Sequence, residues 1–154
     1  MERLSYNKFK DLVKNGPLAS IDFNILNEYD ESLFLYRLTP PASKKFFTPG
    51  GRILKNEPIN NAIARILNDE LNLSIKSASS IKFIKVNEHF YADSAFSNSV
   101  STHYVNLLYE INVKKDSLTS LDKEFDDHKD LIWIAKQEIK KYDIHEYAIR
   151  NVIY

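Results

Sequence analysis

Apolar positions change their period several times along this chain, and each change marks an element. Between Ser5 and Lys14, the residues Tyr6, Phe9, Leu12 and Val13 recur near helical spacing, and Ser5 is placed to cap the first turn. Gly16-Pro17 stops that helix. From Leu18 to Leu26 the period drops to two. Ile21, Phe23 and Ile25 share one face and Asp22 and Asn24 the other, which predicts a strand. The segment Asn27 to Glu31 turns the chain into a second strand, Leu33 to Arg37. A loop from Thr39 to Lys45 follows, then a short stretch Phe46 to Thr48 and a turn at Pro49-Gly50-Gly51.

The clearest helix opens at Glu57-Pro58, because proline at the first helical position gives up no hydrogen bond. Ile59, Ala62, Ile63, Ile66 and Leu67 fall at i, i+3, i+4, i+7 and i+8, one buried stripe that Leu71 extends. Asn72 suits a left-handed cap. Two long strands are predicted, Ile81 to Tyr91 and His103 to Val113, joined by the Ser-rich loop Ala92 to Thr102. Leu131 to Ala135 is a further short strand, and Lys136 to Lys141 and His145 to Tyr154 are helical. Strands with one strong internal helix and smaller terminal ones predict an α+β fold, a mixed β-sheet sandwiched between α-helices.

Composition narrows the function. A chain of 154 residues is one domain by default, 1–154, and buries roughly 70% of its unfolded surface. It carries 21 basic and 21 acidic residues, a balance that argues against binding nucleic acid through gross charge. Zero cysteines exclude a disulfide framework, thiolate metal sites and a cysteine nucleophile. No apolar run approaches a membrane span, and the N-terminal stretch is too polar for a signal peptide, so a cytoplasmic location is expected. Only three glycines occur, and two of them, Gly50 and Gly51, are adjacent.

That pair begins a motif. Gly51 and Glu57 have the spacing G-x5-E, Arg65 follows eight residues after Glu57, and Asp69-Glu70 come next. This is the frame of the Nudix box, G-x5-E-x7-R-E-U-x-E-E-x-G-U, where U is apolar. Paired glycines let a backbone approach a metal or phosphate closely. The helix then projects carboxylates toward a divalent cation. The box is altered here: Ile66 stands where it has a Glu, Asp69 stands for another Glu, and Asn72 replaces the final Gly.

With its flanks, the altered box resembles one branch, the GDP-mannose mannosyl hydrolases. Gly16 to Phe23 looks like that family's P-L-V-S-x-D-F strand, and Arg37 with Pro41-Ala42 like its R-x-N-R-P-A. Phe47-Thr48-Pro49-Gly50-Gly51-Arg52 looks like W-F-V-P-G-G-R without the Trp. Glu88-His89-Phe90-Tyr91, Ser101-Thr102-His103-Tyr104 and Asp127-His128 before Trp133 look like H-F-Y, T-T-H-Y and Q-H-x-x-x-x-W.

The resemblance implies cleavage of the glycosidic C–O bond, giving GDP and the free sugar with inversion. It implies a magnesium ion, with manganese as a substitute, on Gly50, Glu70 and Asp127, the last replacing the family's Gln. It makes His128 the general base, and imidazole titrates in the right range. It places Arg37, Arg52 and Tyr104 on the diphosphate, and Asp22 and His89 near the sugar, Asp22 also supporting catalysis. Arg37 and Tyr104 would stabilise the leaving group. Glu57 and Arg65 would form a structural ion pair. Pro40 stands where the family has a second Arg, and His103 and His145 match no role. The partners implied are GDP-mannose or a related GDP-sugar and a second copy of the chain, with the N-terminal segment a candidate interface. Two other activities remain open: a pyrophosphatase acting on nucleoside diphosphate sugars, and a catalytically weak nucleotide-sugar-binding protein.

Overall fold

A computed structural model describes residues 4–118 and 128–154, without the side chains of His128 and Lys129. Helix α1 (Tyr6–Asn15) closes with the Gly16 N–H donating to the Leu12 carbonyl at 3.0 Å. Strand β1 (Leu18–Leu26) then runs through the middle of the fold. It lies parallel to β6 (Thr102–Asn112) along its whole length, from Leu18 opposite Tyr104 to Leu26 opposite Asn112. Strand β5 (Ser80–Tyr91) pairs antiparallel with β6 and is bulged between Phe83 and Lys85. On the other side β2 (Glu31–Arg37) meets β1 at Leu26 and Ser32, and carries β3 (Phe46–Phe47) and β7 (His128–Ala135). Strand β4 (Gly50–Arg52) pairs antiparallel with the first half of β1.

Both faces of this mixed sheet are covered. Helix α2 (Ile59–Leu71) buries Ala62, Ile63, Ile66, Leu67 and Leu71 against Ile21, Phe23, Ile25, Leu33 and Leu35. Each of the Ile, Leu and Phe side chains contributes about 1.5–3 kcal/mol by leaving water. Helix α3 (Glu146–Val152) buries Ala148 and Val152 against Phe34, Phe47, Ile134, Ile139 and Ile144. The predicted α+β sandwich is therefore the observed one. Asn72 caps α2 in the left-handed region at φ 49°, as its side chain tolerates.

Three local expectations, for Lys136–Lys141, the last helix and the glycine pair, are corrected. Lys136–Lys141 is a 3-10 turn, and the last helix is shorter than predicted, with His145 Nδ1 accepting the Tyr147 N–H at 3.2 Å as its cap. The face of β1 carrying Ser20, Asp22 and Asn24 alternates like a wet face, yet all three are buried beneath the α3 side of the molecule. Gly50-Gly51 is not a turn. Both glycines lie in β4, and neither has a positive φ.

The glycines are needed for closeness. A Cβ on Gly50 would lie 2.6 Å from the Ile21 carbonyl oxygen and would collide with the Asp22 carboxylate. A Cβ on Gly51 would meet Ile66 side-chain atoms at 3.1–3.2 Å. Gly51→Ala is therefore expected to cost about 1–2 kcal/mol, part of it recovered by Ile66→Val in the same chain. Gly50→Ala meets backbone, which cannot shrink, and costs more. Urea denaturation of the three variants checks this; equal costs for the two alanines would contradict it.

Candidate active site

Strand β4 and the following loop are tied to α2 by one ion pair. The Glu57 carboxylate, its side chain fully inaccessible, receives Arg65 Nε at 2.7 Å and Arg65 Nη2 at 2.9 Å. It also accepts the Leu54 N–H at 2.8 Å, and Arg65 Nη2 donates to the Arg52 carbonyl at 2.8 Å. Arg65 Nη1 reaches Asp69 at 3.5 Å. The forked guanidinium holds the Glu57 carboxyl below its ordinary range, and burial only partly opposes this. The expected structural pair is present.

Above it opens a cleft of about 250 Å³. It brings together Gly50, Arg52, Asp69 and Glu70 with Asp22, Arg37, His89 and Tyr104. Every expected site residue whose side chain is described thus lines one cavity. Asp127 lies outside the described residues. His128 is placed by its backbone alone, opposite the cleft-lining Arg37 in the pairing of β7 with β2.

Asp22 is held from a direction the sequence pattern did not mark. Asn151 of α3, fully buried, donates from Nδ2 to Asp22 Oδ2 at 3.0 Å and to Thr48 Oγ1 at 2.9 Å. Asn87 Nδ2 donates to Asn151 Oδ1 at 3.3 Å. Burial pushes the Asp22 carboxyl up to about 6, opposed by the amides of Asn151 and Asn106 and by the Arg37 charge. His89 lies with Nδ1 3.9 Å from Asp22 Oδ2, beyond hydrogen-bond reach, and its ring stacks on Tyr147 at 4.3 Å. Burial, with the nearby His145 and Arg150, pushes His89 down to about 4. At neutral pH the pair is therefore a carboxylate beside a neutral imidazole.

The cationic side is prepared for an anion. Arg37 Nε is buried with no hydrogen-bond partner among the described residues, and its guanidinium lies 5.7 Å from the Phe47 ring centroid. Arg52 stacks on Phe9 of α1 at 3.6 Å, and Phe9 packs in turn on Phe96 of the Ser-rich loop. The N-terminal aromatics thus pack within their own chain, although Tyr6 stays 62% exposed. Burial raises the Tyr104 phenol, so it keeps its proton and can donate to an oxyanion; the same holds for Tyr91.

For a metal, Gly50 and Glu70 share the cleft with Asp69, all oxygen donors suited to a hard cation. Ile66, only 1% exposed, occupies the cleft floor where the Nudix box has a carboxylate. Among the described residues no cluster of three or more His, Cys, Asp or Glu side chains is placed to bind a metal. The donor set fits a single cation completed by a backbone carbonyl and by ligand oxygens.

The chain belongs to the Nudix family: the model of the NUDIX domain matches residues 19–152. Members bind nucleoside diphosphate derivatives, and Nudix hydrolases generally use magnesium or manganese. Over 116 residues the chain is 31% identical to the low-salt glycan biosynthesis protein Agl8 of Haloferax volcanii, covering 75% of this chain and 72% of that protein. Its fold is similar to a MutT NUDIX hydrolase from Burkholderia pseudomallei, with a TM-score of 0.73, 19% identity, and 90% and 98% of the two chains covered. It is also similar to the NUDIX domain of Shewanella oneidensis NrtR, solved with ADP ribose, with a TM-score of 0.68, 12% identity, and 97% and 96% covered. No helix among the described residues is long and apolar enough to cross a membrane.

Asn151, Thr48, Asn87 and the capping role of His145 are not marked by the sequence pattern. One signal was available for Asn151: it shares the buried stripe of α3 with Ala148 and Val152, a polar residue where an apolar one is expected. His103 has no place in the cleft and stacks on Phe90 at 4.4 Å.

The opposite shifts of Asp22 and His89 give opposite pH dependences. Asp22, raised when folded, adds stability as pH falls through about 6. His89, lowered when folded, removes stability as pH falls from its ordinary 6.5 toward about 4. In metal-free protein, Asp22→Asn should lose stability relative to the parent on going from pH 7 to pH 4, on the order of 2 kcal/mol. His89→Phe should gain a similar amount. Urea titrations at both pH values check this, and differences that ignore pH would refute it.

Proposed function

We propose that this protein hydrolyses GDP-mannose, or a closely related GDP-hexose, to GDP and the free sugar. Water attacks the anomeric carbon from the face opposite the leaving group, inverting it. The observation that carries this reading is Ile66 at the cleft floor. Attack at phosphorus by a Nudix enzyme draws on the carboxylates of the box helix. Here that helix offers the cleft Asp69, already near Arg65, and Glu70. The far wall instead presents Asp22, neutral His89 and protonated phenols, groups that hydrogen-bond sugar hydroxyls. The likeness to a glycan biosynthesis protein supports a sugar-bearing substrate.

Each residue then has a task. The Gly50 carbonyl, the Glu70 carboxylate and Asp127 would hold magnesium or manganese. A bound divalent cation supplies positive charge to the departing diphosphate. Arg37 and Arg52, the latter braced by Phe9, line the cleft and offer guanidinium N–H groups to the phosphate oxygens. Tyr104 donates its phenolic proton in a hydrogen bond to the leaving oxygens. Asp22 and His89 orient the sugar, and Asp22 offsets positive charge developing at the ring. His128 removes the proton from the attacking water. The domain is the whole chain, 1–154, and we place it in a homodimer.

Hydrolysis in oxygen-18 water tests the bond cleaved. Label is expected in the free sugar; label in phosphate would mean attack at phosphorus and would sink the proposal. No turnover, with binding retained, would favour a nucleotide-sugar-binding role. His128→Ala should lower kcat by about 10²–10⁴-fold. Glu70→Gln should raise the magnesium concentration needed for half-activation about tenfold, and unchanged activation would remove Glu70 from the ligand set.

A further inference from the structure

Asn151 is 129 residues from Asp22 in sequence, yet its side chain meets that carboxylate in the middle of the fold. The amide is fully buried and spends its one Nδ2 group on two acceptors, Asp22 Oδ2 and Thr48 Oγ1. Those acceptors belong to different walls. Asp22 is in β1, and Thr48 precedes Pro49-Gly50, the start of β4. Gly50 is pressed so closely on β1 that a Cβ there would strike Asp22 Oδ1. One carboxylate oxygen is thus tied to Asn151 while the other faces the Gly50 backbone.

We propose that Asn151 is a positioning residue. Its amide clamps Asp22 and the Thr48–Gly50 segment into one rigid unit, setting both the aim of the Asp22 carboxylate and the place of the Gly50 carbonyl. An amide suits this task. It has two N–H donors for two oxygens, and its carbonyl is occupied by Asn87 Nδ2. A leucine has similar volume and no donor, so it leaves both oxygens without their partner. An aspartate offers only acceptors and sets two carboxylates side by side.

The consequence for activity rests on the reading above. The consequence for the cation does not depend on which sugar is cleaved, so the test uses both. The probes are Asn151→Leu, Thr48→Val and the double variant, in the full chain with thermal unfolding as the folding control. Manganese binding in the presence of GDP is followed by electron paramagnetic resonance, and kcat and KM are measured on GDP-mannose.

Asn151→Leu is expected to weaken manganese binding about tenfold and to lower kcat at least tenfold, with KM changing less than threefold. Thr48→Val is expected to show a smaller loss of the same kind. The double variant should be no worse than Asn151→Leu alone, because both substitutions break one clamp. A folded Asn151→Leu with parental manganese affinity and kcat would overturn the proposal, as would losses that multiply in the double variant. If Asn151→Leu does not fold, Thr48→Val decides: unchanged manganese binding overturns the clamp. If the parent binds manganese and GDP but does not cleave GDP-mannose, the substrate reading fails while the manganese measurements still judge Asn151.

Discussion

The half-buried Glu57–Arg65 pair is the constraint on which the cleft depends. Arg65 is on α2, and Glu57 is in the loop that follows the glycine strand. Their two short contacts, with the Arg65 bond to the Arg52 carbonyl and the Glu57 bond to the Leu54 N–H, wrap that loop around one guanidinium. Glu70 and the Gly50 backbone come to the same cavity for this reason. A pair of this kind adds little net stability against an apolar replacement. Removing Arg65 is the costly way to break it, because the inaccessible Glu57 carboxylate is then stranded. Its contribution is register, which an apolar contact between the same elements would leave looser.

A second constraint comes from charge burial. The wall of the cleft accepts a carboxylate at Asp22 because amides from α3 and β6 and the Arg37 charge offset part of its lost hydration. His89 meets the same dry surroundings by staying neutral. Ionised acid, neutral imidazole and protonated phenols then share the cleft with Arg37 and Arg52. That division suits a substrate with a hydroxylated ring at one end and a diphosphate at the other.

Much of this was legible in the chain. The stripe from Ala62 to Leu71 and the two-residue period from Leu18 to Leu26 name their elements because burial on one face imposes those periods. Glu57 and Arg65 were readable as partners from the motif frame. The rest depended on contacts between distant segments. Adjacent glycines read as a turn, but Gly50 and Gly51 are there because Asp22, Ile21 and Ile66 leave no room for a Cβ. Asp22 alternates like a solvent-facing residue, and its burial depends on distant segments, among them α3 returning from the end of the chain. Lys136–Lys141 has helical composition but winds as a 3-10 turn between β7 and the last helix.

The altered box acquires a physical meaning from these contacts. Ile66 fills the space against Gly51 and seals the floor with hydrocarbon, where a carboxylate would have to be buried or turned to a cation. In the proposed reaction the chemistry moves off the helix and toward the wall of Asp22, His89 and Arg37. Real-time proton nuclear magnetic resonance of the anomeric region during turnover of GDP-mannose tests this most directly. The first sugar signal expected is the free anomer opposite to that of the substrate, relaxing later to the equilibrium mixture. A sugar phosphate as first product, or a free sugar of retained configuration, would contradict it.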